Sequence, residues 1–329
     1  MFNLTVSFVE KIRCERDQLP AIAVGLCVFV GSVFFAPFYT DGDQRIYHRA
    51  YQVVEGLDWT SAYYLYARTI AGGEYSHFYV IWLASTLAID KNLVMALANS
   101  MLAGYSVVLL RRWGANLYLA VFVVLTNYYW YVLYFPAERL KVGVLFMVLS
   151  LLCISRKLAF TLFSALALLA HHSLIFLYSG VWLMMAASLF RTSEISLRSR
   201  LTLLGGGGAV IVLVLLLGRI HLEAKLPTYL AFHDMTNFKS MGPALILAGL
   251  SVLYSKQIVK PILLYLPTVV GVVFLGGSRL NMLAYFIFLY HCLRVRDGFN
   301  AAIIGTSLYF GYKSIGFVFN VIEHGHGFP

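Results

Sequence analysis

Two adjacent residues, Glu138 and Arg139, put a carboxylate and a guanidinium at the entrance to an apolar run. His171, His172 and Ser173 close the apolar run that follows, and Arg156-Lys157 joins the two runs. A carboxylate, or a histidine with an ordinary pKa of about 6.5, can take the proton of a hydroxyl. A guanidinium offers a planar fork of donors that suits phosphate oxygens. A base beside an anion holder is the equipment for moving a group off a phosphate-type leaving group. The plain alternatives are a local Glu138–Arg139 pair at a helix start, where a carboxylate favours the positive end of the dipole, and histidines that are merely structural. Neighbouring helical positions point about 100° apart, so only one of His171 and His172 faces a shared site. His171 is favoured by a small margin.

Other residues fit the same chemistry. Arg45, Arg219 and Arg279 lie in polar segments between apolar runs and add positive charge for an anionic partner. Asp41-Gly42-Asp43 has the spacing of two acids that can share a divalent cation, or of a plain turn with an aspartate bonded to its own backbone. Tyr47, Tyr51, Tyr63, Tyr64 and Tyr66 suit either a headgroup belt or stacking on sugar faces. The four cysteines form no CxxC pair, so neither a zinc site nor a disulfide framework is supported. No phosphate-binding glycine loop, HExxH or GxSxG element occurs. No metal or cofactor is expected.

The elements that must position these residues are membrane helices. Of 329 residues 60% are hydrophobic and only 12% charged, in apolar runs that recur from end to end. This predicts an all-α polytopic membrane protein and a single integral domain over 1–329. The runs are continuous rather than alternating, which argues against a β-barrel. The net charge of +10 lies largely in short turns, where basic residues set topology, so nucleic acid is not an expected partner. Residues 1–19 are basic and read as cytoplasmic. The run at 20–39 reads as a retained first helix, because no small-residue cleavage motif follows it. Spans follow at 93–110, 117–135, 141–155, 158–170, 174–190, 201–218, 243–255, 261–275, 282–293 and 301–319, about 10–11 in all. The run at 77–89 is short of the ~20 residues a span needs. Reading it as re-entrant or interfacial keeps Arg111-Arg112 and the later basic turns inside. Two polar segments, 40–76 and 219–242, then lie outside with Glu138, Arg139, His171 and His172. Outer arginines run against the usual charge bias and call for an anionic partner such as a lipid diphosphate.

Five elements in order carry a resemblance: Asp43-Gln44-Arg45-Ile46-Tyr47 with Tyr51 beyond, Glu74 opening a helix, Ala137-Glu138-Arg139-Leu140, His171-His172-Ser173, and Gly276-Gly277-Ser278-Arg279 with Tyr285 following. Together they resemble the EpsG-like, Wzy-type polysaccharide polymerases, which include O-antigen polymerases. Where that family often has Asn-x-x-Arg-Gln, this chain has Pro136-Ala137-Glu138-Arg139-Leu140-Lys141, which leaves the role of Glu138 open. The resemblance implies a GT-C-like architecture in a bacterial inner membrane with its site facing the periplasm. It implies a glycosyltransferase that joins oligosaccharide repeat units carried on undecaprenyl diphosphate, with a chain-length-regulating membrane protein as a further partner. In that reading Glu138, His171, His172 and Asp43 are the acid–base candidates. Arg139, Arg279, Arg45, Arg219, Tyr47, Tyr51 and Glu74 hold substrate and diphosphate. A metal-dependent transferase using Asp41 and Asp43, a lipid-linked glycan transporter or flippase, and an acyltransferase with a histidine base are the alternatives.

Overall fold

A computed structural model describes residues 8–191, 238–255 and 258–328. Arg219, the run at 201–218 and most of the segment 219–242 lie outside the described residues. Every regular element among the described residues is helical. Three helices are long and apolar enough to cross a membrane, or four if one bent pair is a single span, and four more are apolar but shorter. These features are compatible with a membrane location.

The chain divides into two compact units. The first comprises Met1–His171 and Arg296–Pro329, the second His172–Val295. The division falls between His171 and His172.

In the first unit, α1 (Phe8–Phe35) packs antiparallel on α5 (Lys91–Arg112). Two glycines set how closely. A Cβ on Gly25 would come within 3.0 Å of the Ser100 carbonyl, and one on Gly104 within 3.0 Å of the Ala21 carbonyl, the close approach that small residues allow between membrane helices. Helix α8 (Glu138–Leu152) lies on α5 and forms a hairpin with α9 (Lys157–Ala170). Three shorter helices, α2 (Asp43–Val53), α3 (Trp59–Ile70) and α4 (Tyr75–Thr86), share a core built from Tyr47, Tyr66, Phe78 and Ile81 with Met95 of α5. Asp58 starts α3 by accepting the amides of Thr60 and Ser61, and Asp90 starts α5 by accepting that of Leu93. Helix α4 has 12 residues, about 18 Å at 1.5 Å per residue, well short of a hydrocarbon core of about 30 Å.

The run read as one span over 117–135 is broken. Asn127 takes extended backbone angles, and its side chain accepts the Tyr129 amide. This separates α6 (Leu117–Thr126) from α7 (Tyr128–Tyr134) with a bend of 57°. A buried asparagine that caps the second piece satisfies groups the helix would otherwise leave unpaired. The last helix of the unit, α14 (Ala301–His324), runs beside α6 and α7. Its C-terminal end meets the end of α1, where the amides of Thr40 and Asp41 both donate to the Gly325 carbonyl at 3.1 and 3.0 Å. At the other end of the unit, Arg112 donates to the Leu152 carbonyl and the Asn116 amide to the Asp297 carbonyl at 2.7 Å.

The second unit holds α10 (Leu174–Arg191), α11 (Gly242–Tyr254), α12 (Val259–Leu275) and α13 (Gly277–Cys292). Tyr265 of α12 donates to the Ala284 carbonyl of α13 at 2.9 Å and shares a hydrogen bond with Ser251 of α11 at 3.0 Å. Only Gly276, at φ 83°, forms the turn before α13. The turn expected over Gly276-Gly277-Ser278-Arg279 is therefore shorter, and Arg279 sits in the first turn of the helix.

Candidate active site

Glu138 and Arg139 do not pair with each other. They occupy the first two positions of α8 and take separate partners from distant parts of the chain. Glu138 Oε1 lies 2.7 Å from Lys91 Nζ on α5, with each side chain 2% exposed. Lys91 also donates to Gln44 Oε1 at 2.8 Å, and Gln44 Nε2 donates to the Phe135 carbonyl at 2.7 Å, in the loop leading into α8. The second Glu138 oxygen is 3.9 Å from Nε2 of His77 on α4, whose side chain is fully buried. On its other nitrogen, His77 Nδ1 lies 2.6 Å from the Tyr66 hydroxyl. Burial first, and then Glu74, hold the Tyr66 phenol well above its usual pKa, so it remains a donor at neutral pH. Nδ1 then accepts from it, and a neutral His77 carries its hydrogen on Nε2, towards Glu138.

Arg139 turns to α2 and to the entrance of α4. Its Nη1 donates to Glu74 Oε1 at 2.8 Å and its Nε to the Tyr47 hydroxyl at 3.3 Å. The Arg139 and Glu74 side chains are 11% and 6% exposed, so this is a nearly buried, hydrogen-bonded ion pair. Tyr47 is buried, which raises its phenol pKa against the opposing effect of the guanidinium. Gly72 makes room for the pair, because a Cβ there would run into Glu74 Oε2 and Arg139 Nη1.

One turn into α8, Lys141 is completely buried, and its ammonium has no hydrogen-bond partner. With Glu138, Gln44 and Asn99 it lines a cavity of about 30 Å³ between α1, α5, α7 and α8. The start of α8 thus gathers three cations, two carboxylates, one imidazole and two phenols. The arrangement can hold an anion at the guanidinium and exchange protons at the carboxylate and imidazole.

The other expected residues are placed differently. Arg45 is exposed and pairs loosely with Asp41, at 3.9 Å. Asp43 is exposed at the start of α2. Asp41 also accepts the Gly42 amide, the turn arrangement that its spacing allowed. The Tyr51 hydroxyl donates to the Ile89 carbonyl beyond the end of α4, so it ties α2 to α4. His171 is buried at the end of α9. The preceding turn of that helix reaches α4, with Ser76 Oγ donating to the Leu166 carbonyl at 2.9 Å. His172 is half-buried in the second unit, as is Arg279. Arg219 lies outside the described residues. No group of three or more potential metal ligands occurs among the described residues.

Three members of the cluster escaped the sequence reading. His77 lies in an apolar run and was counted as part of it. Lys91 sits in the polar triplet Asp90-Lys91-Asn92, read as a turn. Gln44 is buried between two exposed neighbours. The available signal was spacing: His77 is three residues after Glu74, which places both near one helix end. Comparison with protein families, with curated proteins and with solved structures finds no match.

Proposed function

We propose that this chain is a membrane glycosyltransferase of the polysaccharide-polymerase type. It joins oligosaccharide repeat units carried on undecaprenyl diphosphate at the periplasmic face of a bacterial inner membrane. One observation carries the reading. Tyr47, Glu74 and Arg139 belong to three separate elements of the resemblance, 92 and 65 residues apart along the chain, and they are joined by hydrogen bonds. Elements picked out one by one in the sequence thus share a single cluster.

In the reaction, a hydroxyl oxygen of the acceptor sugar forms a bond to the anomeric carbon of the donor. The bond from that carbon to the diphosphate oxygen breaks, and the lipid diphosphate leaves with the electron pair. The hydroxyl proton passes to a base. Arg139 stabilises the charge that grows on the departing diphosphate, and the Glu74 carboxylate and Tyr47 hydroxyl hold its guanidinium in orientation. Glu138, with His77 behind it, supplies the base. Arg279 adds a second cation for the diphosphate. A cation in the first turn of a helix is unfavourable beside the dipole unless an anion accompanies it. About ten spans and a GT-C-like architecture belong to the same proposal.

A strain lacking the gene, complemented with wild-type or variant protein, tests it by glycan gel. Wild type restores a ladder of repeat units. Arg139→Ala leaves a single repeat unit, with long-chain product down about 100-fold or more, while membrane levels of the protein stay normal. A full ladder from Arg139→Ala, or from the deletion strain itself, refutes the proposal.

A further inference from the structure

Three buried side-chain atoms without a hydrogen-bond partner belong to residues that line one cavity: Lys141 Nζ, Glu138 Oε2 and Asn99 Oδ1. The orientation of Asn99 is fixed by its surroundings. Its amide nitrogen donates at 2.9 Å to Ser32 Oγ and at 2.9 Å to the Tyr134 carbonyl. A carbonyl can only accept, so the nitrogen must face it and the oxygen must face away. The cavity therefore presents one strong donor and two acceptors. Its volume is about 30 Å³, close to the share of one molecule in liquid water.

We infer that this cavity is a built water site, in which one buried water joins Lys141, Glu138 and Asn99. Water accepts from the ammonium and donates one hydrogen to the carboxylate and one to the amide oxygen. That makes three bonds, the usual complement of a buried water. No other small occupant matches the lining. An anion would meet Glu138 Oε2 and Asn99 Oδ1, both acceptors, and a metal cation would meet the Lys141 ammonium. The charged groups around the site are Glu138 on the same helix as Lys141 and Lys91 on α5, with His77 of α4 beyond Glu138. The water gives Lys141 and Glu138 a route for proton exchange. As the ammonium passes a proton to the water, the water passes one to the carboxylate, leaving an amine and a carboxylic acid with total charge unchanged. Glu138 thereby gains a proton partner that bulk solvent does not reach. The inference goes beyond the proposed sugar chemistry and holds whether or not the chain transfers sugars.

Thermal unfolding of the full-length protein in detergent tests it with Lys141→Met, Asn99→Leu and the double variant. If the water is present, Lys141→Met takes away one of its three partners and lowers the midpoint by about 2 °C or more. The double variant then falls by less than the sum of the two singles, because both act through one water. If nothing bridges the three atoms, methionine removes an uncompensated buried charge and the midpoint rises. A rise, or strict additivity, overturns the inference. Should the variants not accumulate, a high-resolution map of the wild-type protein decides. Density within hydrogen-bond distance of Lys141 Nζ and Asn99 Oδ1 is expected, and its absence overturns the proposal.

Discussion

Replacing Lys91 by methionine keeps the length of the side chain and removes its charge. In the structure Nζ is 2.7 Å from Glu138 Oε1 and 2.8 Å from Gln44 Oε1. At an effective dielectric of about 20, two unit charges at that separation attract by about 6 kcal/mol. Most of this is offset by the cost of taking both ions out of water. The single substitution forfeits the attraction without returning Glu138 to water, so breaking such a pair costs about 3–5 kcal/mol. The lower figure applies here, because Lys141 stands one turn away and His77 lies 3.9 Å from the other carboxylate oxygen. A loss of about 3 kcal/mol lowers the unfolding midpoint by about 6–12 °C for a unit of this size. Adding Glu138→Gln removes the stranded charge and leaves an amide, whose burial penalty is about 1–3 kcal/mol. The double variant is therefore more stable than Lys91→Met alone. Thermal unfolding in detergent, with limited proteolysis as a second readout, measures both. A single variant within about 1 kcal/mol of wild type, or a double variant less stable than the single, refutes the assignment of Lys91 as the partner that holds Glu138.

Gly72→Ala pushes a methyl group into Glu74 and Arg139. Long-chain glycan should fall as far as with Arg139→Lys while the protein still accumulates; an unchanged ladder counts against the Arg139–Glu74 geometry. Tyr51→Phe loses the bond to Ile89 and costs about 1 kcal/mol of stability, with glycan length unaltered in the gel assay. Arg45→Ala changes stability by less than about 0.5 kcal/mol and leaves the ladder intact, because its side chain is 81% exposed; loss of the ladder would restore Arg45 to the substrate site.

The helices were legible because each apolar run has a length and a polar flank. Asp58, Asp90 and Asn300 each start a helix by accepting an amide, and each is visible in the sequence as a polar residue before an apolar run. The break at Asn127 had a signal in Thr126-Asn127, but two polar residues in a long apolar run are compatible with an unbroken helix until a cap bond is seen. Arg139 was legible as a buried cation because it enters an apolar helix. Its partners were not. Glu74 is 65 residues away, and Glu138, next to Arg139, is the simpler guess. Adjacent positions on a helix diverge, so the two charges face different neighbours, and which neighbours depends on how α2, α4 and α5 pack. His77 was invisible for the opposite reason. An imidazole in an apolar run reads as one polar atom in hydrocarbon until tertiary packing places Tyr66 on one nitrogen and Glu138 near the other.

Arginine alone does not tell the two ends of the first unit apart, because both ends carry it. Its partners do. At the end marked by Arg111 and Arg112, the guanidinium groups donate to the Ala115 and Leu152 carbonyls, acceptors left over where helices stop. These contacts use the cation to finish a helix and leave its charge facing water, as Arg112 is exposed. At the end marked by Arg139, the partner is a carboxylate that is itself almost buried. Desolvating both ions costs several kcal/mol each, which a helix terminus does not require, since an asparagine or aspartate would satisfy it. A pair of this kind is therefore placed by something other than the needs of the helix. In an anion-holding site the carboxylate has a use: it fixes the planar donor fork in one orientation before any ligand arrives, so that less freedom is lost when phosphate oxygens bind. On that argument Glu74→Gln should weaken product formation less than Arg139→Ala does. The amide still orients the guanidinium by hydrogen bonding but no longer competes with the diphosphate for its charge.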